Sequence, residues 1–117
     1  MQYLVTITIG HTSAPPQALQ TAMTKLVDDE TAAGTIVLSG GLAPSSQGRL
    51  LTLSNGELSV RESANSHLLI DGFAVLEAAS MQEAIETASP LLQLHQVYME
   101  NWEGECTVRP IVTHCLP

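Results

Sequence analysis

Residues 34–44 read GTIVLSGGLAP, and this short stretch decides how the rest of the chain is interpreted. Gly34 ends a helical pattern, because glycine readily adopts the left-handed conformation that closes a helix. Residues 35–41 then have the composition of a strand, and Gly40, Gly41 and Pro44 are typical of a break in it. A helix that leads directly into a strand predicts part of a βαβ unit.

The residues before this stretch predict a strand and a helix. Residues 2–9 alternate between apolar and polar side chains, which is typical of a half-buried strand. Its apolar positions are Tyr3, Val5, Ile7 and Ile9. Residues 15–33 predict a helix that Ser13 caps and whose first turn accepts two prolines. Its apolar positions recur at helical spacing and are Leu19, Met23, Leu26 and Val27.

The residues after it predict a hairpin, a strand, a second helix and a last strand. Asn55-Gly56 is a strong signal of a hairpin turn and separates strands at 49–53 and 57–61. Residues 68–77 predict a longer strand. A capping box at Ser80 and Glu83 then begins a helix whose apolar face ends before Pro90. Residues 105–112 alternate again and predict the last strand.

This order predicts one α+β domain over residues 1–117, a ferredoxin-like split βαβ sandwich with an inserted hairpin. Between the second helix and the last strand, Leu91, Leu94, Tyr98 and Trp102 recur at helical spacing, so we expect an extra helical turn or two. Three roles are open for these turns: a helix packed on its own domain, a dimer contact, or a lid over a cavity.

The charge and the missing motifs exclude several classes of function. Twelve acidic and four basic residues give a net charge of −8, so no basic stripe is available to neutralise the phosphates of a nucleic acid. The chain has no apolar run long enough for a membrane span and no signal-peptide pattern, so we expect a cytoplasmic protein with no membrane partner. P-loop, dinucleotide and nucleophile-elbow motifs do not occur, and no cofactor is expected.

The cysteines and histidines offer few candidates for chemistry. Cys106, on an apolar strand, is expected to be a small buried hydrophobe, whereas Cys115 beside His114 leaves a metal or nucleophile interpretation open. His11 at the end of the first strand and His67 at the start of the strand at 68–77 are candidate general bases, because imidazole titrates at about pH 6.5. No HxH, HxxE or HExxH spacing links the histidines, so no metal site is predicted.

Four motifs occur together along the chain. They are G-G-L-x-P at 40–44, I-x-G-F at 70–73, A-I-E-x-A at 84–88 and V-R-P at 108–110. Together they resemble the YCII-related proteins, in particular their DGPF branch. The resemblance implies two chains that pair their sheets face to face in a dimeric α+β barrel. Relatives have only a few residues between the second helix and the last strand, so residues 91–104 are an atypical insertion.

The chain departs from this family at the residues proposed for its chemistry. The resemblance implies a histidine in the first helix and an aspartate before a proline after the second helix. Here the first helix has no histidine, Ser89 precedes Pro90, and residues 60–65 read VRESAN in place of D-G-P-F. We therefore expect a non-catalytic homodimer that binds a small ligand. The alternatives are a dehydrochlorinase-like lyase or isomerase with a histidine base, and a structural or regulatory interaction module.

Strand alternation places a mixed set of side chains on the sheet face that turns away from the helices. Its polar members and one phenylalanine are Thr6, Thr8, Ser39, Asp71, Phe73, Thr107 and Arg109. Leu4 and Val75 share this face, and a face so apolar is usually covered, here by a second copy.

A ligand site is predicted on the same face. In ferredoxin-like order the first strand lies between the strands of Asp71 and Arg109, so these side chains would flank the hydroxyls of Thr6 and Thr8. A carboxylate, two hydroxyls and a guanidinium would orient a small anionic or polar molecule, with Arg109 taking a carboxylate through its planar fork. The alternative is that Asp71 and Arg109 have only structural partners, within the chain or across the dimer.

Overall fold

The computed structural model describes residues 1–9, 15–62 and 71–112 and has an α+β fold with two helices and a mostly antiparallel sheet. The class predicted from the sequence is thus confirmed. The elements in chain order are β1 (Gln2–Ile9), α1 (Gln17–Ala32), β2 (Ile36–Gly41), a 3-10 turn (Ser45–Gln47), β3 (Arg49–Ser54), β4 (Glu57–Glu62), β5 (Gly72–Glu77), α2 (Met81–Tyr98) and β6 (Gly104–Pro110).

Four strands form the main sheet in the order β2-β5-β1-β6, with every neighbouring pair antiparallel. β1 lies inside the sheet, where Val5 is opposite Ala74 of β5 and Val108 of β6. This confirms that the first strand lies between two others: β5, which begins just after Asp71, and β6, which contains Arg109. β3 and β4 form a separate two-stranded sheet.

The core lies between the main sheet and the two helices. Alternate residues of β1 are buried, as the sequence pattern predicts: Tyr3, Val5 and Ile7. Ala74 and Leu76 of β5 join them, and Leu19 of α1 is 1% exposed. Because the buried side chains of β1 and β5 leave the sheet on the same side, both helices pack on that side.

α1 is bounded by a proline at its start and by a glycine just after its end. The helix begins at Gln17 after Pro16, and the predicted cap Ser13 lies outside the described residues. At the other end Gly34 has a φ of 81°, the left-handed conformation predicted for it. The chain then enters β2 at Ile36, so the helix-to-strand passage read from the sequence is confirmed.

The prediction that the second helix stops before Pro90 is wrong. α2 continues through Pro90 to Tyr98, so the residues assigned to an insertion begin as the second half of a longer helix. A proline in a helix interior removes one hydrogen bond, but the buried positions recur at helical spacing on both sides of it. They are Ala84, Ala88, Leu91 and His95. Burial of this continuous face offsets the lost hydrogen bond.

The hairpin is present where the sequence predicts it. Asn55 and Gly56 have φ values of 52° and 78°, and two positive φ values define the type I′ turn that suits the twist of a hairpin. Arg49 is opposite Glu62 at the far end of the ladder. The hairpin therefore keeps its register over six residues of each strand.

Strand boundaries differ from the sequence prediction at two places. β6 ends at Pro110, and Val112 beyond it is 68% exposed, because a proline cannot donate to the ladder and the chain leaves the sheet. The second strand is predicted at residues 35–41; β2 begins one residue later, at Ile36, and the predicted end at Gly41 is confirmed. The predicted start at residue 68 of the strand that corresponds to β5 lies outside the described residues.

Neither described helix has the length and apolar content needed to cross a membrane.

The capping box of α2 offers a test of the local sequence interpretation. The Glu83 N–H donates to the Ser80 hydroxyl (3.2 Å), and the Ala79 N–H donates to the Glu83 carboxylate (3.1 Å). We expect Ser80→Ala to lower the free energy of unfolding by about 1 kcal/mol, because an orphan N–H loses its acceptor. Urea unfolding measures this. Gln82→Ala in the same turn is the control and should leave stability unchanged or raise it; equal losses would contradict the capping role.

Candidate functional site

The main sheet presents one face that the core does not use. Register puts the following residues on it, and we call this surface the open face: Leu4, Thr6 and Thr8 of β1, Leu38 of β2, Phe73 and Val75 of β5, and Glu105, Thr107 and Arg109 of β6. Leu38 is 58% exposed, and Leu4 and Val75 are only half-buried. Among the described residues, the buried core lies entirely on the other side of the sheet.

The open face brings some of the predicted ligand-binding residues together. Thr6 is opposite Phe73 on one side and Thr107 on the other, and the hydroxyls of Thr6 and Thr107 are hydrogen-bonded to each other. Thr8 is opposite Glu105. The Phe73 ring lies over Gly40, where an added Cβ would be 3.0 Å from a ring carbon. These hydroxyls and the ring form a mixed, half-buried patch.

Asp71 and Arg109 are not brought together. The Asp71 N–H donates to the Ile7 carbonyl (2.8 Å), whereas Arg109 is opposite Leu4. Two strand spacings across the sheet and four residues along it separate their backbones by roughly 17 Å. Both residues are exposed. They flank β1 as predicted, but diagonally, so one small ligand cannot contact both.

The placement of Ser39 on the open face is wrong. β2 has a bulge between Ile36 and Leu38, which shifts the register by one residue. Ser39 is consequently opposite Ala74, whose side chain is buried on the helix side. A one-residue shift moves every later side chain to the other face, which is why simple alternation fails here.

The helix side of the sheet contains a cavity next to Ser39. Its floor is the row in which Ile7 of β1, Gly72 of β5 and Gly41 of β2 are aligned. Two of these three positions have no side chain, so space is left between the sheet and α1. The resulting cavity has a volume of about 270 Å³.

The walls of this cavity are mainly apolar, with a few polar groups. Ile7, Ile36 and Leu91 belong to the core and contribute apolar surface. The polar residues that line it are Thr24 and Asp28 of α1 and Ser39 of β2. An apolar cavity with a small number of polar groups is the usual composition of a small-molecule site. Of the six predicted ligand-binding residues, only Ser39 and Phe73 line it.

The sequence does not predict this cavity, because the cavity arises where strand pairing places Gly41 opposite Gly72. Gly41 and Gly72 are far apart in the chain, and nothing in either segment shows that they meet. The available signal was the pair of glycines at the end of one strand and the start of another. A strand glycine often marks a place where something approaches the backbone closely.

A second polar feature joins the end of α2 to β6. His95 is 7% exposed, and its Nδ1–H donates to the Leu91 carbonyl (2.7 Å), because a carbonyl oxygen only accepts. Its ring stacks on Trp102 with centroids 4.5 Å apart. A Cβ at Gly104 would collide with the indole and lie 2.9 Å from the Thr8 carbonyl. This packing agrees with the first of the three roles considered for the extra helical turns, a helix on its own domain.

The remaining candidates for chemistry are outside the cavity. His11, His67, His114 and Cys115 lie outside the described residues, so their roles stay predictions. Cys106 is half-buried and packs against the core, and burial raises the pKa of its thiol, which favours the neutral form. Within residues 1–9, 15–62 and 71–112, no three side chains of His, Cys, Asp or Glu are grouped as a metal site requires.

The chain matches no protein-family model, and no curated protein matches its sequence. The resemblance to the YCII-related proteins therefore rests on the motifs at 40–44, 70–73, 84–88 and 108–110, and a shared fold does not by itself imply a shared function.

The two glycines in adjacent strands predict opposite responses to alanine. At Gly40 the new Cβ meets the Phe73 ring at 3.0 Å, so we expect Gly40→Ala to lower the free energy of unfolding by about 1 kcal/mol. At Gly72 the new Cβ would lie 3.5 Å from the Gly40 carbonyl oxygen, an ordinary contact. Gly72→Ala should therefore be neutral or slightly stabilising. Urea unfolding of both variants measures the two changes in free energy of unfolding. An equal loss of stability in both variants would contradict the presence of free space at Gly72.

Proposed function

We propose that this protein is a small-ligand-binding homodimer without catalytic activity, related in fold to the YCII-like group. The cavity between α1 and the Gly41–Gly72 end of the sheet carries the proposal. Its described polar lining residues are Thr24, Asp28 and Ser39, whose side chains are suited to holding a ligand. General acid–base catalysis needs a positioned acid and base, and His95 does not line this cavity.

The strand order supports the ferredoxin-like part of the proposal. With the hairpin left out, the chain runs strand, helix, strand, strand, helix, strand, and the sheet order is β2-β5-β1-β6. That is the arrangement of a split βαβ domain. The resemblance to YCII-related proteins implies the same arrangement, with the hairpin as an insertion between β2 and β5.

The open face supports the homodimer. Leu38, Val75 and Leu4 form an apolar row across three adjacent strands. A two-layer domain covers its sheet on one face only, and an apolar second face is normally buried by another layer. A second copy supplies such a layer when two open faces pack together, as in the dimeric α+β barrel that the resemblance implies.

The size and polarity of the cavity limit the ligand. A cavity of about 150 Å³ holds benzene, so about 270 Å³ accommodates one ring with a short polar substituent. A dinucleotide does not fit in this volume. Asp28 at the cavity favours a neutral or cationic substituent over an anionic one, which differs from the anionic ligand expected for Arg109 on the other face.

Three probes with one ring and different charges test the ligand proposal. In a ¹H–¹⁵N NMR titration, benzylamine and benzyl alcohol should shift the amide signals of Gly41, Gly72 and Val27, and benzoate should act more weakly because Asp28 repels it. Gly72→Val fills the cavity and should abolish these shifts, whereas Ser54→Val on the hairpin should preserve them. Shifts from benzoate centred on Thr6 and Arg109 would instead place the site on the open face.

The dimer is tested by a charge on the open face. Val75→Asp should raise the dimer dissociation constant at least 100-fold, because two unpaired carboxylates enter the apolar row of a two-fold interface. Sedimentation velocity over a concentration series measures this. Val97→Asp on the exterior of α2, where Val97 is 73% exposed, is the matched control and should leave the dimer intact. Wild-type protein that sediments as a monomer at micromolar concentration would refute the proposal.

A further inference from the structure

β6 is an edge strand of the main sheet, and its outer side is regular. Among the described residues it pairs only with β1, and its register with β1 is unbroken from Gly104 to Pro110. The opposite edge of the sheet is different, because β2 contains a bulge. A bulge protects an edge strand from pairing with another chain, whereas a regular edge is open to such pairing. β6 is therefore the edge that suits the addition of a further strand.

The backbone groups that β6 turns outward follow from its hydrogen bonds to β1. The Ile111 N–H donates to the Gln2 carbonyl (2.8 Å), in the same register as the rest of the β1–β6 ladder. Hydrogen-bonded and non-hydrogen-bonded pairs alternate along an antiparallel ladder, so Thr107 is hydrogen-bonded to β1 and its two neighbours are not. The N–H and C=O groups of Cys106 and Val108 consequently point away from β1, towards the free edge.

The side chains of β6 carry one charge of each sign, placed symmetrically about its middle residue. Glu105 and Arg109 are each two residues from Thr107. Both charged residues are exposed, and about 13 Å of strand separates them, which is too far for them to pair with each other. The ion pairs found within the described ranges involve neither of them. Each charge therefore lacks an ion-pair partner in the described part of the chain.

An antiparallel second copy of β6 matches both the backbone groups and the charges in one register. When Thr107 is opposite the same residue of the second copy, Cys106 is opposite Val108 and exchanges hydrogen bonds with it. Glu105 is then opposite Arg109, in a non-hydrogen-bonded pair, where side chains come closest. Opposite charges in such cross-strand pairs are stabilising. Two-fold symmetry repeats each of these contacts.

We infer that β6 pairs edge to edge with β6 of a second copy and joins the two main sheets into one continuous sheet. The charges select a second copy as the occupant of this edge. A partner strand needs a positive residue opposite Glu105 and a negative residue opposite Arg109, and β6 itself has both at the required spacing. The net charge of −8 on each chain opposes self-association, but the two charges of β6 cancel where the strands meet.

Edge pairing uses a different surface from the proposed homodimer and does not rest on it. The homodimer packs the apolar row of Leu4, Leu38 and Val75 against another open face, whereas edge pairing uses backbone groups that lie on neither face of the sheet. The two-fold axis of edge pairing is perpendicular to the sheet, and that of face packing is parallel to it. Both contacts therefore fit in one tetramer, in which the edge contact is the weaker because it buries little apolar surface.

Exchange of the two charges tests the register. Glu105→Arg and Arg109→Glu each place like charges opposite each other, so either variant alone should weaken the association of dimers into tetramers at least tenfold. An equimolar mixture of the two variants, or both changes in one chain, restores opposite charges and should associate within threefold of the wild type. Small-angle X-ray scattering up to millimolar concentration measures the mass. Glu57→Arg on the hairpin alters the net charge as Glu105→Arg does and should have no effect.

A cysteine at the symmetry axis locates the contact. In edge pairing the Cα atoms of the two copies of Thr107 are about 4.5 Å apart, which is within the range that a disulfide spans. Thr107→Cys should therefore form a disulfide between two copies of position 107 under mild oxidation, identified by mass spectrometry. The same disulfide should form when Val75→Asp is also present. Ser59→Cys, an exposed position on the hairpin, is the control and should cross-link much more slowly.

The outcomes separate edge pairing from the proposed homodimer. A disulfide that Val75→Asp abolishes in folded protein would belong to face packing and would overturn edge pairing while the homodimer stands. Charge variants that associate as strongly as the wild type would also overturn edge pairing, whether or not Val75→Asp folds. Association that Arg109→Glu breaks and Val75→Asp leaves intact would support edge pairing and refute the homodimer. A wild type that stays monomeric at millimolar concentration would overturn both.

Discussion

The pairing of β1 with neighbours on both edges is the constraint on which the rest of the structure depends. Val5 is completely buried at the middle of β1, between Ala74 and Val108 in the adjacent strands. Because successive side chains of a strand point to opposite faces, this one pairing assigns each residue of β1 to the core or to the open face. β5 and β6 follow the same division, and both helices pack on the core side.

The two faces of the sheet then have different consequences for function. On the helix side, glycines at two aligned positions leave space between the sheet and α1, and α1 borders the resulting open cavity. On the other side, where no described element packs, Leu38 is exposed and Leu4 and Val75 are half-buried. Ligand binding and assembly are therefore proposed for opposite faces of one sheet, so that a change on one face need not disturb the other.

Charge and apolar surface act against each other in the proposed assembly. The chain carries a net charge of −8, and a homodimer doubles it. Since salt screens charges that are more than about 10 Å apart, this repulsion weakens at ordinary ionic strength. Burial of apolar side chains is less sensitive to salt. In the proposed homodimer, the apolar row of the open face is accordingly the surface that would drive association, against the repulsion between two acidic chains.

Local patterns in the sequence determined the helices, the strands and the hairpin turn. Alternation in β1, the left-handed Gly34, the capping box at Ser80 and the Asn55-Gly56 turn all depend on neighbours within a few residues. Each of these features is therefore readable without the fold. The positions of the six predicted ligand-binding residues were harder to predict from the sequence. Whether they share one face of the sheet depends on the register of all four strands.

Only the tertiary structure decided three features of this protein. A bulge after Ile36 moved Ser39 to the helix side, a buried face carried α2 past Pro90, and the alignment of Gly41 with Gly72 opened the cavity. The physical reason is common to all three. Each depends on packing or pairing between segments that are distant in the chain, and such contacts leave no periodic pattern in the sequence of either segment.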